Sequence, residues 1–353
     1  MASIELQGVA HRYAASDPKY AVNWLDQHWQ DGGAYALLGP SGCGKTTLLN
    51  IISGLLKPTE GKVVFDGIDM TGLRTEQRNI AQVFQFPVVY DTLSVAENLA
   101  FPLRNRGFAR EEIESRVQEV LALLGMQSRA GQRASSLNAD DKQKISLGRG
   151  LVRSDVNAIL FDEPLTVIDP HLKWQLRTEL KKIHQRFGHT MIYVTHDQTE
   201  ALTFADQVIV MYDGSVVQIG TPQELFDRPQ HTFVGQFIGS PGMNVLACEI
   251  DGADAVVAGN RIGLQRQISA AGVGLELGIR PEHIELSASE GIAVQIVAVE
   301  DVGKHLVVRT QLAEQQIAVI VQEGTPIPEH AFLKIDPAKL NLYQDSFLVD
   351  AGS

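Results

Sequence analysis

Short apolar runs alternate with longer amphipathic stretches through the first two thirds of the chain. The clearest runs predict buried strands because each is continuously apolar and ends in polar or glycine residues; they cover residues 34–38, 80–85, 157–164, 190–196 and 208–211. Helical spacing of apolar residues appears between them, in residues 111–124 and 172–187. Strands that alternate with helices predict a largely parallel α/β sheet with helices on its faces.

The pattern changes after about Phe237, where helical periodicity fades. Short β-like stretches separated by Gly, Pro, Asn and Asp follow, at residues 246–250, 294–299, 306–309 and 316–321. They predict a small all-β domain, barrel-like in form. Residues 239–242, Gly-Ser-Pro-Gly, have the composition of a linker, so we expect one domain at 1–238 and a second at 239–353.

Composition narrows the function classes. The chain has 353 residues, 44% hydrophobic and 20% charged, which is ordinary for a soluble protein of two domains. Its net charge of −12 argues against a general nucleic-acid partner. No apolar run reaches the roughly 18–20 residues that span a bilayer, and no signal peptide is visible. Cys43 and Cys248 are too far apart in sequence to suggest a disulfide framework, which fits a reducing cytosol.

A glycine-rich loop follows the first clear strand and opens a helix. It contains Gly39, Pro40, Ser41, Gly42, Cys43, Gly44, Lys45, Thr46 and Thr47. In this strand–loop–helix context the pattern predicts a phosphate-binding loop, because backbone N–H groups and the helix N-terminus both attract phosphate oxygens. Lys45 is placed to reach the β- and γ-phosphates of ATP, and the Thr46 hydroxyl to bind Mg²⁺.

Polar side chains end the later strands. Asp162 and Glu163 follow a buried strand, where the first carboxylate can hold Mg²⁺ through its waters and the second can orient an attacking water. His196 ends a strand expected to lie beside the loop strand, near the γ-phosphate. Gln85 ends another strand and can contact Mg²⁺ or the water. An acidic pair or a histidine at a strand end is, by itself, usually an ordinary turn residue; the phosphate loop is what favours the functional interpretation.

Taken together, these motifs resemble the ATPase subunits of ATP-binding-cassette (ABC) transporters, over essentially the full chain. Within them the chain is most similar to the carbohydrate-importer branch that includes maltose and glycerol-3-phosphate systems. The resemblance rests on the phosphate loop and on residues 83–85, 89–95, 159–164, 194–197, 220–222, 237–241 and 277–283. It implies a P-loop ATPase domain with a helical subdomain at about 86–155, followed by an OB-like regulatory domain.

The same resemblance implies roles and partners. Tyr13 would stack on adenine, Asp169 would be the D-loop aspartate, and residues 88–95 would receive a membrane subunit. The implied function is ATP hydrolysis that energises import of a sugar, glycerol or glycerol-3-phosphate at the cytoplasmic face of the inner membrane. Two permease subunits, a second ATPase subunit and an extracytoplasmic solute-binding protein would complete the complex.

Other ATPases with these motifs fit less well. A DNA-repair or chromosome-structure ATPase would need a long coiled coil or a zinc insertion, and a translation-factor ATPase would carry two cassettes in one chain. Two alternatives stay open: a homodimeric ATPase for another solute, and a transport ATPase that also sequesters a transcriptional regulator through its C-terminal domain.

One segment departs from the family. Its signature loop, usually Leu-Ser-Gly-Gly-Gln, binds the ATP of the partner subunit; here the stretch contains Asn138, Ala139, Asp140 and Asp141. Asn138 predicts a helix N-cap, and the two acids in the first turn suit the helix but repel phosphate. We therefore expect a degenerate signature and a second ATPase subunit that is not identical to this chain; the alternative is a homodimer in which the altered loop still works, or works slowly.

Overall fold

The computed structural model describes residues 2–166, 168–264 and 274–349, and two compact units divide it at Pro222 and Gln223. This division falls before the linker expected at 239–242, so two short helices belong with the second unit. The domain boundary at 238 and 239 stays a prediction. No helix of the described residues is long and apolar enough to cross a membrane.

The first unit contains ten strands and six helices within its described residues. The strands are β1 Ile4–His11, β2 Val22–Trp29, β3 Ala34–Leu38, β4 Glu60–Phe65, β5 Ile68–Asp69, β6 Ile80–Val83, β7 Ala158–Asp162, β8 Met191–Thr195, β9 Gln207–Tyr212 and β10 Ser215–Gly220. The helices are α1 Lys45–Ser53, α2 Val95–Arg104, α3 Arg110–Leu123, α4 Ala139–Leu151, α5 Pro170–Phe187 and α6 Gln198–Phe204.

A six-stranded sheet, in the order β10-β9-β3-β8-β7-β6, carries the site. All its neighbouring strands are parallel except β10, which pairs antiparallel with β9. Every residue of β3 and β8 is buried, which explains why these strands are continuously apolar. The carboxyl ends of β3, β8, β7 and β6 therefore lie side by side at one edge.

A second, antiparallel sheet in the order β2-β1-β4-β5 encloses helix α1 against the first sheet. Leu48, Leu49, Ile51 and Ile52 of α1 are fully buried in this shared core. The helix ends on the guanidinium of Arg78, which donates to the carbonyls of Ile51 at 2.8 Å and Ile52 at 2.9 Å. Burial lowers the pKa of Arg78, but a cation at a helix C-terminus is electrostatically favourable.

Helices α2, α3 and α4 lie between β6 and β7 in the chain. A capping box starts α2: Ser94 Oγ accepts from Glu97 N at 3.2 Å, and Glu97 Oε2 accepts from Ser94 N at 2.8 Å. Helix α4 starts at the altered signature loop. It thus places that loop at the N-terminal end of a helix that buries Ile145, Leu147 and Leu151 in the unit.

The second unit begins with helices α7 Pro222–Asp227 and α8 Thr232–Phe237 and continues in strands. They are β11 Asn244–Ala247, β12 Glu249–Asp251, β13 Asp254–Val257, β14 Asn260–Gly263, β15 Leu275–Ile279, β16 Ile284–Ser287, β17 Ile292–Asp301, β18 His305–Leu312, β19 Gln315–Gln322, β20 Ala331–Ile335, β21 Asn341–Gln344 and β22 Phe347–Leu348. They form sheets β11-β15-β21-β22, β12-β13-β14 and β16-β20-β17-β18-β19 around one apolar core. The expected OB-like all-β fold is confirmed.

Buried polar side chains join the parts of this unit. Arg280 is 4% exposed; it donates to the Phe226 carbonyl at 2.9 Å, to the Gly235 carbonyl at 2.9 Å and to the Ile238 carbonyl, and lies over the Phe226 ring. These carbonyls belong to α7 and α8 or follow them, so the arginine fixes both helices to the β-sheets. Burial lowers its pKa.

Candidate active site

The loop from Gly39 to Gly44 connects β3 to α1 in the form expected of a phosphate-binding loop. Gly44, the N-cap of α1, has φ +99°, and a Cβ there would collide with the Ala21 carbonyl. Only glycine fits this position, because the left-handed conformation and the close backbone both exclude a side chain. The loop therefore keeps its N–H groups available at a helix N-terminus, as binding of an anion requires.

Lys45 is turned into the loop. Its Nζ donates to the carbonyl oxygens of Gly39 at 2.8 Å and Pro40 at 2.9 Å, and lies 3.8 Å from Cys43 Sγ. Burial raises the pKa of the Cys43 thiol, so this cysteine stays neutral at pH 7. The ammonium is thus the charge inside the loop, 5% exposed and held where a phosphate would approach.

Thr46 and Asp162 form a hydrogen-bonded pair next to Lys45. The Thr46 hydroxyl donates to Asp162 Oδ1 at 3.0 Å, joining the start of α1 to the end of β7. Burial, and then the charge of Glu163, raise the pKa of Asp162. A hydroxyl and a partly desolvated carboxylate that lacks a cation in contact are the oxygen ligands that suit Mg²⁺. No group of three or more His, Cys, Asp or Glu among the described residues could hold a metal ion, so this pair would need ligands of another kind as well.

Glu163 and His196 are in contact just beyond the carboxyl ends of β7 and β8. His196 Nδ1 lies 3.0 Å from Glu163 Oε2, and Thr166 Oγ1 donates to the same oxygen at 3.3 Å. Glu163 has φ +45°, a conformation that costs a non-glycine residue roughly 1–3 kcal/mol and is common at functional sites. Strand β8 pairs with β3, as predicted, which brings His196 beside the phosphate loop.

Tyr13 lies at the edge of this arrangement. Its hydroxyl is 2.9 Å from Thr47 Oγ1, and its ring meets the buried His11 edge-on at 4.9 Å. The ring is 67% exposed. An exposed aromatic face anchored next to a phosphate loop is suited to stacking on a base.

The structure does not bring every predicted residue into contact. Gln85 is half-buried beyond the end of β6 and makes no hydrogen bond to Thr46, Asp162 or Glu163 within the described chain. Asp169 is exposed before α5, where its carbonyl accepts from Lys173 N at 2.9 Å. Their predicted roles remain predictions.

The two acids of the altered signature loop have different surroundings, which the sequence did not predict. Asn138 caps α4 by accepting from Asp141 N at 2.9 Å, as predicted. We expected the two acids to act alike, but Asp141 is 7% exposed and paired with Arg129, with Lys144 at 3.8 Å. Asp140 forms no ion pair with any described residue. Only one of the two carboxylates is therefore left uncompensated.

Sequence reasoning missed Glu200, which is 3% exposed in α6. Its carboxylate accepts from Tyr193 Oη at 3.0 Å and Thr195 Oγ1 at 2.9 Å, directly before His196. The ammonium of Lys173 in α5 lies 3.8 Å away. An acid four residues after a strand-end histidine gave no signal, because exposed helix residues are commonly acidic.

A phosphate loop, a hydroxyl–carboxylate pair for a divalent cation, and a glutamate bonded to a histidine are together the apparatus of an ATP-hydrolysing P-loop protein. The chain belongs to the ABC transporter family: residues 22–166 match that family, residues 239–284 match the MalK OB fold domain and residues 277–339 match the TOBE domain. It is accordingly an ATPase.

The curated relatives it matches include two named sn-glycerol-3-phosphate import ATP-binding protein UgpC. The protein from Bordetella avium is 36% identical over 90% of this chain and 88% of its own length. The protein from Yersinia enterocolitica is 37% identical over 97% of both chains. The similarity therefore extends through both units.

Solved structures agree with the fold of the first unit. The ATP-binding cassette MJ0796, described as a dimer in a post-hydrolysis state bound to ADP and Pi, is 29% identical with a TM-score of 0.56 and covers 62% of this chain and 98% of its own. The cbiO1 protein from Clostridium perfringens, part of the ABC transporter complex cbiONQ, is 27% identical with a TM-score of 0.58 over 64% of this chain and 90% of its own.

Proposed function

We propose that this chain is the ATP-hydrolysing subunit of an importer for glycerol-3-phosphate or a closely related polyol or sugar. The observation that carries the proposal is the identity of 37% over 97% of the chain to a glycerol-3-phosphate import ATP-binding protein, together with the assembled site. The similarity includes the second unit, which is where this branch differs from a bare ATPase cassette.

The geometry supports a role for each residue of the site. The loop N–H groups and Lys45 bind the phosphates, and the exposed ring of Tyr13 stacks on adenine. Glu163 accepts a proton from the attacking water, while His196, bonded to the same carboxylate, contacts the γ-phosphate. Gln85 and Asp169 complete the site once nucleotide and partner subunit are bound.

Thr46 and Asp162 would hold Mg²⁺. The metal supplies charge neutralisation on the β- and γ-phosphates when it is bound. Thr46 offers its hydroxyl oxygen, and Asp162 offers a carboxylate that burial has made ready to accept a cation or a proton. The hydrogen bond between them holds the two oxygens 3.0 Å apart, so both ligands lie on one side of the loop.

The proposed partners are two membrane permease subunits, a solute-binding protein and a second ATPase subunit, at the cytoplasmic face of the inner membrane. Phe86 and Val88, which are 71% and 50% exposed, offer an apolar contact for a permease. The relatives give no support to a second ATPase of different sequence; that pairing rests on the altered signature loop alone. Counting ATPase polypeptides in the purified native complex decides between one kind of chain and two.

Sequestration of a transcriptional regulator by the second unit is compatible with transport and is the alternative. Capture of permease subunits, against capture of a soluble regulator, from cell extract separates these functions. Recovery of the regulator without any permease would contradict the transport proposal.

The catalytic assignment is tested with Glu163→Gln. Removing the carboxylate that activates water should leave ATP affinity within about twofold and lower turnover by at least about a hundredfold, since general bases contribute roughly 10²–10⁴. Glu114→Gln is the matched control, because Glu114 forms only an exposed ion pair with Arg110. Undiminished hydrolysis by Glu163→Gln would refute the role.

A further inference from the structure

Gln143 is a buried polar side chain to which the proposed mechanism gives no role. It lies in α4, five residues beyond the N-cap Asn138, and is 0% exposed. Its Nε2 donates to the Pro164 carbonyl at 2.7 Å and to the Phe84 carbonyl at 3.2 Å. Both neighbours are acceptors, so only the NH₂ end of the amide fits between them.

The two carbonyls belong to the segments that carry the reaction. Pro164 directly follows Glu163, and Phe84 directly precedes Gln85. One amide of the signature helix therefore spans the ends of β7 and β6. The same helix packs closely on β6, because a Cβ at Gly150 would lie 2.7 Å from Val83 Cγ2.

The bonding of Gln143 is incomplete. Its Oε1 is buried and has no partner in the described chain. An unpaired buried carbonyl destabilises the folded state, so packing alone would favour an apolar side chain of this length. The two hydrogen bonds from Nε2 are what the amide contributes, and they act on the backbone beside Glu163 and Gln85.

We propose that Gln143 is a positioning residue for ATP hydrolysis, which holds the backbone of Glu163 and Gln85 in register with the signature helix. The inference rests on the proposed roles of those two residues. Displacement of α4 by a partner's nucleotide then moves both segments together. In this way the signature helix of this chain adjusts the hydrolytic groups of its own subunit.

The test is Gln143→Met, which keeps the length of the side chain and removes the amide. Loss of two hydrogen bonds to backbone carbonyls predicts that kcat falls by about tenfold or more. KM and the Kd for ATP should stay within about twofold, because Gln143 touches neither the phosphate loop nor Tyr13. Turnover and ATP binding are measured on the full chain in the assembly in which the wild-type chain is active.

Gln82→Met is the matched control. Gln82 lies in β6, and both polar atoms of its side chain are buried without a partner, so the same substitution removes no hydrogen bond. Wild-type kcat in Gln143→Met, an equal loss in both variants, or a joint loss of ATP binding and turnover would each overturn the inference. Glu163→Gln is measured alongside: if it is fully active, the assignment of Glu163 has failed and the positioning role fails with it. If Glu163→Gln is inactive while Gln143→Met is unimpaired, only the positioning role is lost.

Discussion

The two adjacent acids of the altered signature loop should respond in opposite ways to the same substitution. Asp140→Asn removes a carboxylate that has no cationic partner among the described residues. Asp141→Asn removes one that is 7% exposed and paired with Arg129 and Lys144. Each change replaces a charge by an amide of the same shape, so the pair is its own control.

The size of the Asp140 effect follows from Coulomb's law. A carboxylate 4 Å from a phosphate charge costs about 4 kcal/mol at an effective dielectric of 20 and about 1 kcal/mol in water. Asp140 is half-buried, so its removal should improve binding of the ATP that this loop contacts by roughly five- to a thousandfold. The gain should shrink as salt is added.

The Asp141 effect concerns folding. Its removal leaves Arg129 and Lys144 without their acceptor, and the Arg129 side chain is 48% exposed. Because solvent partly screens these ion pairs, we expect the substitution to lower the free energy of unfolding by about 1–2 kcal/mol. ATP binding should hardly change, because the charge is already neutralised.

The assay is the KM for ATP in hydrolysis by the full chain in its working assembly, with urea unfolding measured in parallel. We expect a lower KM for Asp140→Asn with unchanged stability, and lower stability for Asp141→Asn with unchanged KM. Equal effects of the two variants on KM, or no effect of Asp140→Asn at low salt, would refute the electrostatic account of this loop.

Two further predictions concern stability. Arg280→Met should remove the hydrogen bonds to three carbonyls, of which only that of Gly235 still accepts from Met243 N, and should cost the second unit about 2–4 kcal/mol; all three tryptophans lie in the first unit, so circular dichroism should register the loss while tryptophan fluorescence does not. Burial lowers the pKa of His189 from 6.5 to about 4, so the unfolded state binds more protons between these values and stability falls as the pH drops through them. His189→Phe should remove up to about 2 kcal/mol of the wild-type loss between pH 7 and pH 5 in urea unfolding, and an identical pH dependence in both proteins would contradict it.

The parts of the candidate site that could be predicted from the sequence are those next to a recognisable buried strand. The phosphate loop, Asp162 and Glu163 each lie at the end of an apolar run, and a parallel sheet brings such ends together whatever the intervening helices do. The prediction that the strand before His196 lies beside the strand before the phosphate loop is confirmed, because β8 pairs with β3. Strand ends were less certain: the run expected to reach Gln85 stops at Val83.

Contacts between distant side chains and backbone could not be predicted. Gln143 and Arg280 satisfy carbonyls far away in sequence, and such bonds leave no periodic signal. The different surroundings of Asp140 and Asp141 also depend on Arg129, twelve residues before Asp141 in another segment. The two compact units divide after Pro222, before the linker that the sequence predicts, and this too could not be predicted from the sequence. The reason is again a contact between distant residues, since Arg280 joins α7 and α8 to the strands.

The attachment of α7 and α8 also bears on how the ATPase can be prepared alone. A chain cut at the predicted boundary after Ile238 would keep both helices but lose the guanidinium that satisfies Phe226, Gly235 and Ile238. Helix α8 would also lose Met243, whose backbone N donates to the Gly235 carbonyl at 3.0 Å. A chain ending at Pro222 carries neither liability. The domain boundary that the linker sequence predicts and the boundary between the two compact units therefore lie at different residues.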